Sequence, residues 1–395
     1  MKVTQIQDIV NSSLKELNGT SDLLNEDLSN VVDVGTEIFD TDNVDSFVKK
    51  LIDRVGQTVF NSRLYQGSAP SVLMTSWEFG SVLEKVDSEL PDVEENDSWD
   101  LQDGKDYSPN IFYQPKVSAK FFNSKVTFDI PISFTQTQVK SAFNTPSELN
   151  GFLSMIMNGV QNAMTVHLDG LIMKTINNMT ATVLDSNTGL QVVNLLDGYN
   201  QNATTKLTPE NALQNADFIK YANLVINTYR DRISKMSTLF NQGQKSKFTP
   251  MANQHLVILS DLASSSKVYL ESDTYHDENV QISDFDTVPY WQGSGEHYNF
   301  DDVSSIDVAI KNGKATKEVK ASGILGVLFD TNAVGVTCQN QRVTTNYNPR
   351  AEFYTNFTKF DAGYYNDLNE NFIVFTVQQP TQSTGTTGTT GTTSN

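Results

Sequence analysis

Few of the side chains that carry chemistry occur in this chain, and none is spaced for it. Histidine stands at His167, His255, His276 and His297, and the single thiol is Cys338. A tetrahedral zinc site brings four such donors within about 2.0–2.3 Å of one ion, and these residues share no metal-ligand spacing. His167 falls close to the apolar face of a long helical pattern and reads as a packed histidine. Cys338 lies in a strand-like run with no base beside it to take its proton, which reads as a structural thiol. Phosphate-cradling loops of the form GxxxxGKS/T or GxGxxG are absent, as is the GxSxG elbow that presents a serine nucleophile.

One segment is dense in hard oxygen donors. In EKVDSELPDVEENDSWDLQDGKDYSPN the carboxylates Asp87, Glu89, Asp92, Glu94, Glu95, Asp97, Asp100 and Asp103 crowd together. Calcium takes clustered carboxylates, but the ordered spacing of an EF-hand loop is missing. So many like charges are too costly to bury, and the segment is expected to project into solvent or onto a partner. Acidic residues with Trp77, Trp99 and Trp291 would also suit a sugar site, although three tryptophans are more simply core or interface anchors. No catalytic, cofactor-binding or metal-ligating residue is nominated, and the chain reads as a non-enzyme without a cofactor.

The composition narrows the partners. With 28 basic and 47 acidic residues the formal charge is −19, and the pI is about 4.5. Nucleic-acid affinity comes largely from neutralising phosphates with a basic stripe, and no stripe is visible, so sequence-specific binding is not expected. An acidic container for DNA fits, because like charge keeps the duplex from sticking to the wall. One cysteine excludes an intrachain disulfide and suits folding in a reducing cytoplasm. The start, MKVTQIQDIV, lacks the apolar run of a signal peptide, and no stretch of 18 apolar residues follows, so neither signal-directed secretion nor a membrane span is expected.

The elements that must position these residues follow an α+β order. Residues 1–60 read as an N-terminal arm, with a helix around Val3–Leu17, a polar joint, and an amphipathic helix around Asn43–Val59. In the latter Val44, Phe47, Val48, Leu51, Ile52 and Val55 form one apolar stripe that needs something to lie on. Residues 61–135 read as a long hairpin with an exposed acidic tip at 84–110, returning through KVSAKFFNSKVTFDIPISF. Thr145, Pro146 and Glu148 spell a capping box. Behind it Leu149, Phe152, Leu153, Ile156, Met157, Val160, Met164, Leu168, Leu171, Ile172 and Ile176 hold one face for roughly 34 residues, a rod of about 50 Å within 136–184. Leu153, Ile156 and Val160 are expected to face the strands that close the fold.

Residues 185–335 read as an α/β layer: a helix starting at Thr208-Pro209-Glu210 and running through Ile233, a buried strand at His255–Leu259, a short helix from Ser260, and a hairpin turning at Asn312-Gly313. Residues 336–378 are strand-like and aromatic, and 379–395 form a Thr/Gly tail with nothing to bury.

This order of parts, with the stretches MKVTQIQDIVNSSL, VDVGTEIF, FVKKLIDRVGQTV, SAFNTPSELNGFLSMIMNGVQNAM and NPRAEFYTNFTKFDAGYYND, resembles the major capsid proteins of small podophages of Gram-positive hosts. The resemblance implies the Hong Kong 97-type capsid fold. Residues 1–60 would be its N-arm, 61–135 its E loop, 136–184 the P domain spine helix, 185–335 the A domain, and 336–378 the closing strands of the P domain. It further implies self-assembly into pentamers and hexamers of an icosahedral or prolate head around double-stranded DNA, with scaffolding and portal proteins as partners. Assembly would take place in the host cytoplasm and the product would be the virion. Some relatives carry an immunoglobulin-like domain where this sequence has its Thr/Gly tail, so decoration by such a domain is not implied. Some capsid proteins cross-link a lysine to an asparagine under a glutamate, and spacing nominates no such trio here. An encapsulin-like nanocompartment shell, or an unrelated carbohydrate-binding protein or enzyme, are the alternatives.

Overall fold

The structure is a computed structural model that describes residues 3–18, 23–39, 44–62, 69–74, 83–91, 93, 99–100, 102–106, 110, 112, 114–186, 190–273, 282, 284–292, 303–312 and 315–378. The arm holds three helices: α1 (Val3–Asn18), α2 (Val31–Phe39) and α3 (Val44–Ser62). The sequence pattern marks only the first and last of these. Nine residues are too few for a clear period, and α2 is fixed by tertiary contact instead. Gly35 lies so close to Phe143 that an added Cβ would stand 2.8 Å from the Phe143 Cβ.

The stripe of α3 is not left bare. Phe47, Val48, Leu51 and Ile52 share a core with Ile6, Val10 and Leu14 of α1, with Val31 and Val34 of α2, and with residues far along the chain. Tyr354 donates its hydroxyl to Asp45 at 2.6 Å and Thr345 donates to Asp53 at 2.9 Å, pinning α3 to the body. The arm therefore lies on its own subunit, where the sequence alone left it without a partner.

Two strands, β1 (Leu83–Ser88) and β2 (Val117–Phe122), pair antiparallel as a ribbon, and β3 (Lys125–Thr135) follows. Thr135 and Gln138 close a capping box at α4 (Gln136–Ala142). The expected cap at Thr145 also forms, its hydroxyl accepting from the Glu148 N–H at 3.2 Å. It opens α5 (Pro146–Ser186), 41 residues and about 60 Å long.

Helix α5 passes through two cores. Leu149, Phe152, Leu153 and Ile156 pack with the arm helices, Phe134 and Tyr354. From Val160 onward the helix belongs to the main core, and between Leu171 and Leu184 it is buried on nearly every side. Leu153 and Ile156 thus share their face mostly with the arm, with Tyr354 as the contribution from the late strands.

Beyond α5 come β4 (Val192–Asn194), α6 (Leu195–Asn202), α7 (Pro209–Ala212), α8 (Ala216–Ile233), β5 (Gln254–Leu259), α9 (Ser260–Asp273) and β6 (Asp286–Val288). The helix expected to run from Thr208 to Ile233 is broken in two. Asn215 accepts from the Phe218 N–H at 3.0 Å and caps α8 anew, because an Asn side chain satisfies the free N–H groups of a helix start better than it tolerates a helix interior. A hairpin of β7 (Ile306–Asn312) and β8 (Ala315–Ala321) forms as expected. Its turn at Gly313 lies outside the described residues.

The last strands are β9 (Ile324–Asp330), β10 (Val334–Asn348), β11 (Phe353–Asn366) and β12 (Phe372–Thr376). One sheet has the order β10-β11-β3 and is antiparallel; the other has the order β4-β12-β9-β5-β6 and is mixed. Every residue of β9 and of β12 is buried, which explains the apolar runs Ile324–Phe329 and Phe372–Phe375, with Asp330 and Thr376 at the strand ends. The stretch 336–378 therefore serves two sheets, since β12 leaves β10 and β11 to join the other layer. A bulge between Gln339 and Arg342 puts Asn340 at a positive φ of 47° and lets Arg342 reach Asp361 with both guanidinium nitrogens at 3.2 Å. Among the described residues no helix is long and apolar enough to cross a membrane.

Candidate functional site

The β1–β2 ribbon has two faces of opposite character, and they are turned the unusual way round. Its register places Lys85 opposite Lys120. Like charges directly across a ribbon repel, so this pair needs a counter-charge. Asp367, in the turn between β11 and β12, supplies it by accepting from Lys85 at 2.8 Å and from Lys120 at 2.9 Å. Glu370 of the same turn accepts from Lys85 and from Lys247, each at 3.2 Å. Lys247 reaches on to Asp87 of β1 at 2.6 Å, and Lys245 pairs with Glu89. The acidic segment was expected to project into solvent or onto a partner; at its root Asp87 and Glu89 are held by these two lysines of the same chain. Asp92, Glu94, Glu95 and Asp97 lie outside the described residues, and Asp100 and Asp103 are exposed.

The anchors are tied into the surrounding backbone. Asp367 is fully buried, its N–H donates to Ala333 O at 2.8 Å, and its carboxylate accepts from the Asn369 N–H at 3.1 Å. The N–H groups of Gln242 and Gly243 donate to Leu368 O, so the 237–247 loop is laid on the turn. Gly243 leaves no room for a side chain: a Cβ there would stand 2.1 Å from Asn369 Oδ1. The Tyr365 ring packs against Phe122 at 5.1 Å and lies under Lys85 at 5.7 Å.

Burial alone would raise the Asp367 pKa, but hydrogen bonds from Lys85 and Lys120 outweigh it and the carboxyl is lowered. Burial would lower Lys247, and the hydrogen bonds and charges of Asp87 and Glu370 turn that into a rise. Asp87, Asp367 and Glu370 place one oxygen each within 4.8 Å of one another, the only such set among the described residues. Three lysines already make five ion pairs with these three carboxylates, so the set is occupied by the protein's own cations.

The opposite face carries Glu84, Val86 and Ser88 of β1 against Phe121, Ala119 and Val117 of β2. Val86 is 62% exposed, Val117 58% and Phe121 64%. Further along the hairpin Leu90, Val93, Trp99 and Phe112 are exposed as well. A ribbon on a monomer turns its apolar face inward and its charges outward. This one turns Lys85 and Lys120 inward beside Phe122 and leaves Val86, Val117 and Phe121 outward beside Glu84.

The other residues considered from sequence stand apart from this site. His167 stacks on Phe128 at 5.2 Å, and His255 lies beside Phe329 with its pKa lowered by burial. Cys338 is half-buried in β10 and accepts from Gln341 Nε2 at 3.5 Å. Trp291 is a core anchor whose Nε1 donates to Ile324 O at 2.8 Å, whereas Trp99 is fully exposed. His276, His297 and Trp77 lie outside the described residues. Sequence reasoning missed Lys85, Lys120, Lys247, Asp367 and Glu370. The signal available was the alternation in LEKVDS and VSAKFF, which separates two faces without telling which is turned inward.

A family model described as Phi29-like phage major capsid protein matches residues 6–376. No curated protein sequence matches the chain. Among solved structures it is similar to a chain in the capsid of Staphylococcus phage Andhra, with 12% identity and a TM-score of 0.52 over 79% of this chain and 85% of that one. It is also similar to a chain in the structure of the head fiber and inner core protein of bacteriophage P68, with 10% identity and a TM-score of 0.49 over 80% of this chain and 86% of that one.

Proposed function

Because the chain belongs to the Phi29-like phage major capsid protein family, which matches it over residues 6–376, we propose that its working parts are surfaces and that the apolar face of the β1–β2 ribbon is the chief one. It is a shell protein of a phage virion with the Hong Kong 97-type capsid fold, and it assembles with copies of itself around packaged DNA. The nanocompartment and sugar-binding alternatives have no support in this match. In our reading the subunits form pentamers and hexamers of an icosahedral or prolate head, built in the host cytoplasm with scaffolding and portal proteins. Residues 1–60 act as N-arm, 61–135 as E loop, 136–184 as spine, 185–335 as A domain, 336–378 as closing strands and 379–395 as a tail. No reaction is catalysed. A chain of net charge −19 encloses double-stranded DNA without reading its sequence.

The observation that carries this reading is the inverted ribbon. Covering Val86, Val117 and Phe121, each about 60% exposed, returns about 1–1.7 kcal/mol apiece, or about 3–5 kcal/mol together. That corresponds to millimolar affinity before the entropy of association is subtracted. One contact does not hold two subunits, while a closed ring in which every subunit gives and receives one does.

The test is a Val86→Ser/Phe121→Ser variant, viewed by negative-stain electron microscopy alongside the parent protein. We expect the parent to form hollow shells, and the variant to keep its circular dichroism and melting midpoint but form no shells. Normal shells from the variant would refute the reading.

A further inference from the structure

The ribbon is charged on its inner face although an apolar face was available to bury. Burying the apolar face would also stabilise the monomer, and ion pairs repay their desolvation only with good geometry. Here the geometry is good and the charges balance, with Lys85, Lys120 and Lys247 against Asp87, Asp367 and Glu370. A single lysine is a point charge on a flexible stem, but Lys85 and Lys120, on neighbouring strands, converge on one buried carboxylate, and together they limit both the height and the tilt of the ribbon. Both receiving groups stand on backbone fixed by its own hydrogen bonds, the Asp367 N–H donating to Ala333 O and the Glu370 N–H to Asp367 O.

We propose that Asp367 and Glu370 are positioning residues: by gripping Lys85, Lys120 and Lys247 they set the angle at which the ribbon leaves the body, and so the curvature at which its apolar face meets a second copy of the chain. This rests on the reading of that face as the contact between copies. The grip adds no affinity between subunits. It converts a flexible strap into a gauge, and a loosened strap would still bind neighbours while failing to fix the radius of the shell.

The experiment separates grip from contact. Asp367→Asn/Lys85→Met/Lys120→Met removes the carboxylate and both ammonium groups together, leaving none of the three charges buried alone. Lys85→Arg/Lys120→Arg keeps the charges and is the conservative control. Each protein is checked for folding by its melting curve, assembled, and measured for particle diameter by electron microscopy. We expect the triple variant to fold and associate with a diameter spread at least double that of the parent, or into open sheets and tubes, and the arginine variant to restore closed shells of the parent's size. A lower melting temperature with an unchanged diameter distribution overturns the proposal and leaves the apolar contact standing. Normal shells from Val86→Ser/Phe121→Ser overturn the contact, and the gauge with it. Should the triple variant not fold, Lys120→Met alone, at a side chain 37% exposed, decides on the same diameter readout.

Discussion

Neutralising Asp361 with Asp361→Asn tests whether the bulge in β10 is held by charge. The carboxylate is 8% exposed, accepts from Arg342 twice at 3.2 Å, from Thr127 at 2.7 Å and from Asn340 at 3.1 Å. The Arg342 hydrogen bonds hold its pKa down from the ordinary 3.8 to about 2. That difference corresponds to about 2.5 kcal/mol, which we reduce to about 1–2 kcal/mol because the Arg342 side chain is 46% exposed and water screens the pair. A carboxyl with a lowered folded-state pKa contributes its stability above its unfolded value and loses it as the pH falls through the folded one. The parent should therefore exceed Asp361→Asn by about 1–2 kcal/mol at pH 7, and the gap should close between about pH 4 and pH 2. Denaturant unfolding of unassembled subunits, followed by the fluorescence of the buried Trp291, measures both proteins at each pH, and the other carboxylates cancel in the difference. A gap that is absent at pH 7, or constant down to pH 2, refutes the charge argument.

Two further outcomes follow from packing. Leu153→Ala removes a fully buried side chain from the core shared by α5 and the arm, and should lower stability by about 2–5 kcal/mol in the same unfolding assay. Gly243→Ala forces a Cβ against Asn369 and should cost about 1–3 kcal/mol by pushing the 237–247 loop off the turn, with faster amide exchange at Gln242 and Gly243 as its local signature.

How much of this was legible in the sequence depended on the range of the force responsible. The cap at Thr145 and the face from Leu149 to Ile176 are local patterns, and the structure reproduces them. The strand at His255–Leu259 and the runs of β9 and β12 were equally plain, because burial keeps the middle of each strand apolar and confines Gln254, His255, Asp330 and Thr376 to the ends. The break before α8 was missed because a helical period continued across Asn215, whose preference for capping is a choice of single-residue scale. The inward turn of the ribbon was beyond reach, since Lys85 and Asp367 are 282 residues apart and neither carries a local sign of the other. The acidic tip was read by counting charge, which hid both the lysines that receive its root and the apolar side chains between the carboxylates.

The two burial regimes of α5 make it a mechanical part. From Leu171 to Leu184 it is clamped on nearly every side, whereas up to Ile156 it rests on one face only, against the arm. A beam clamped at one end and merely supported at the other bends where the support changes. The one-face support continues through Val160, Met164 and Leu168 in the second core, so that place is the turn between Leu168 and Leu171. A load applied at the arm is therefore expected to be taken up as flexure there before it reaches the five-stranded sheet.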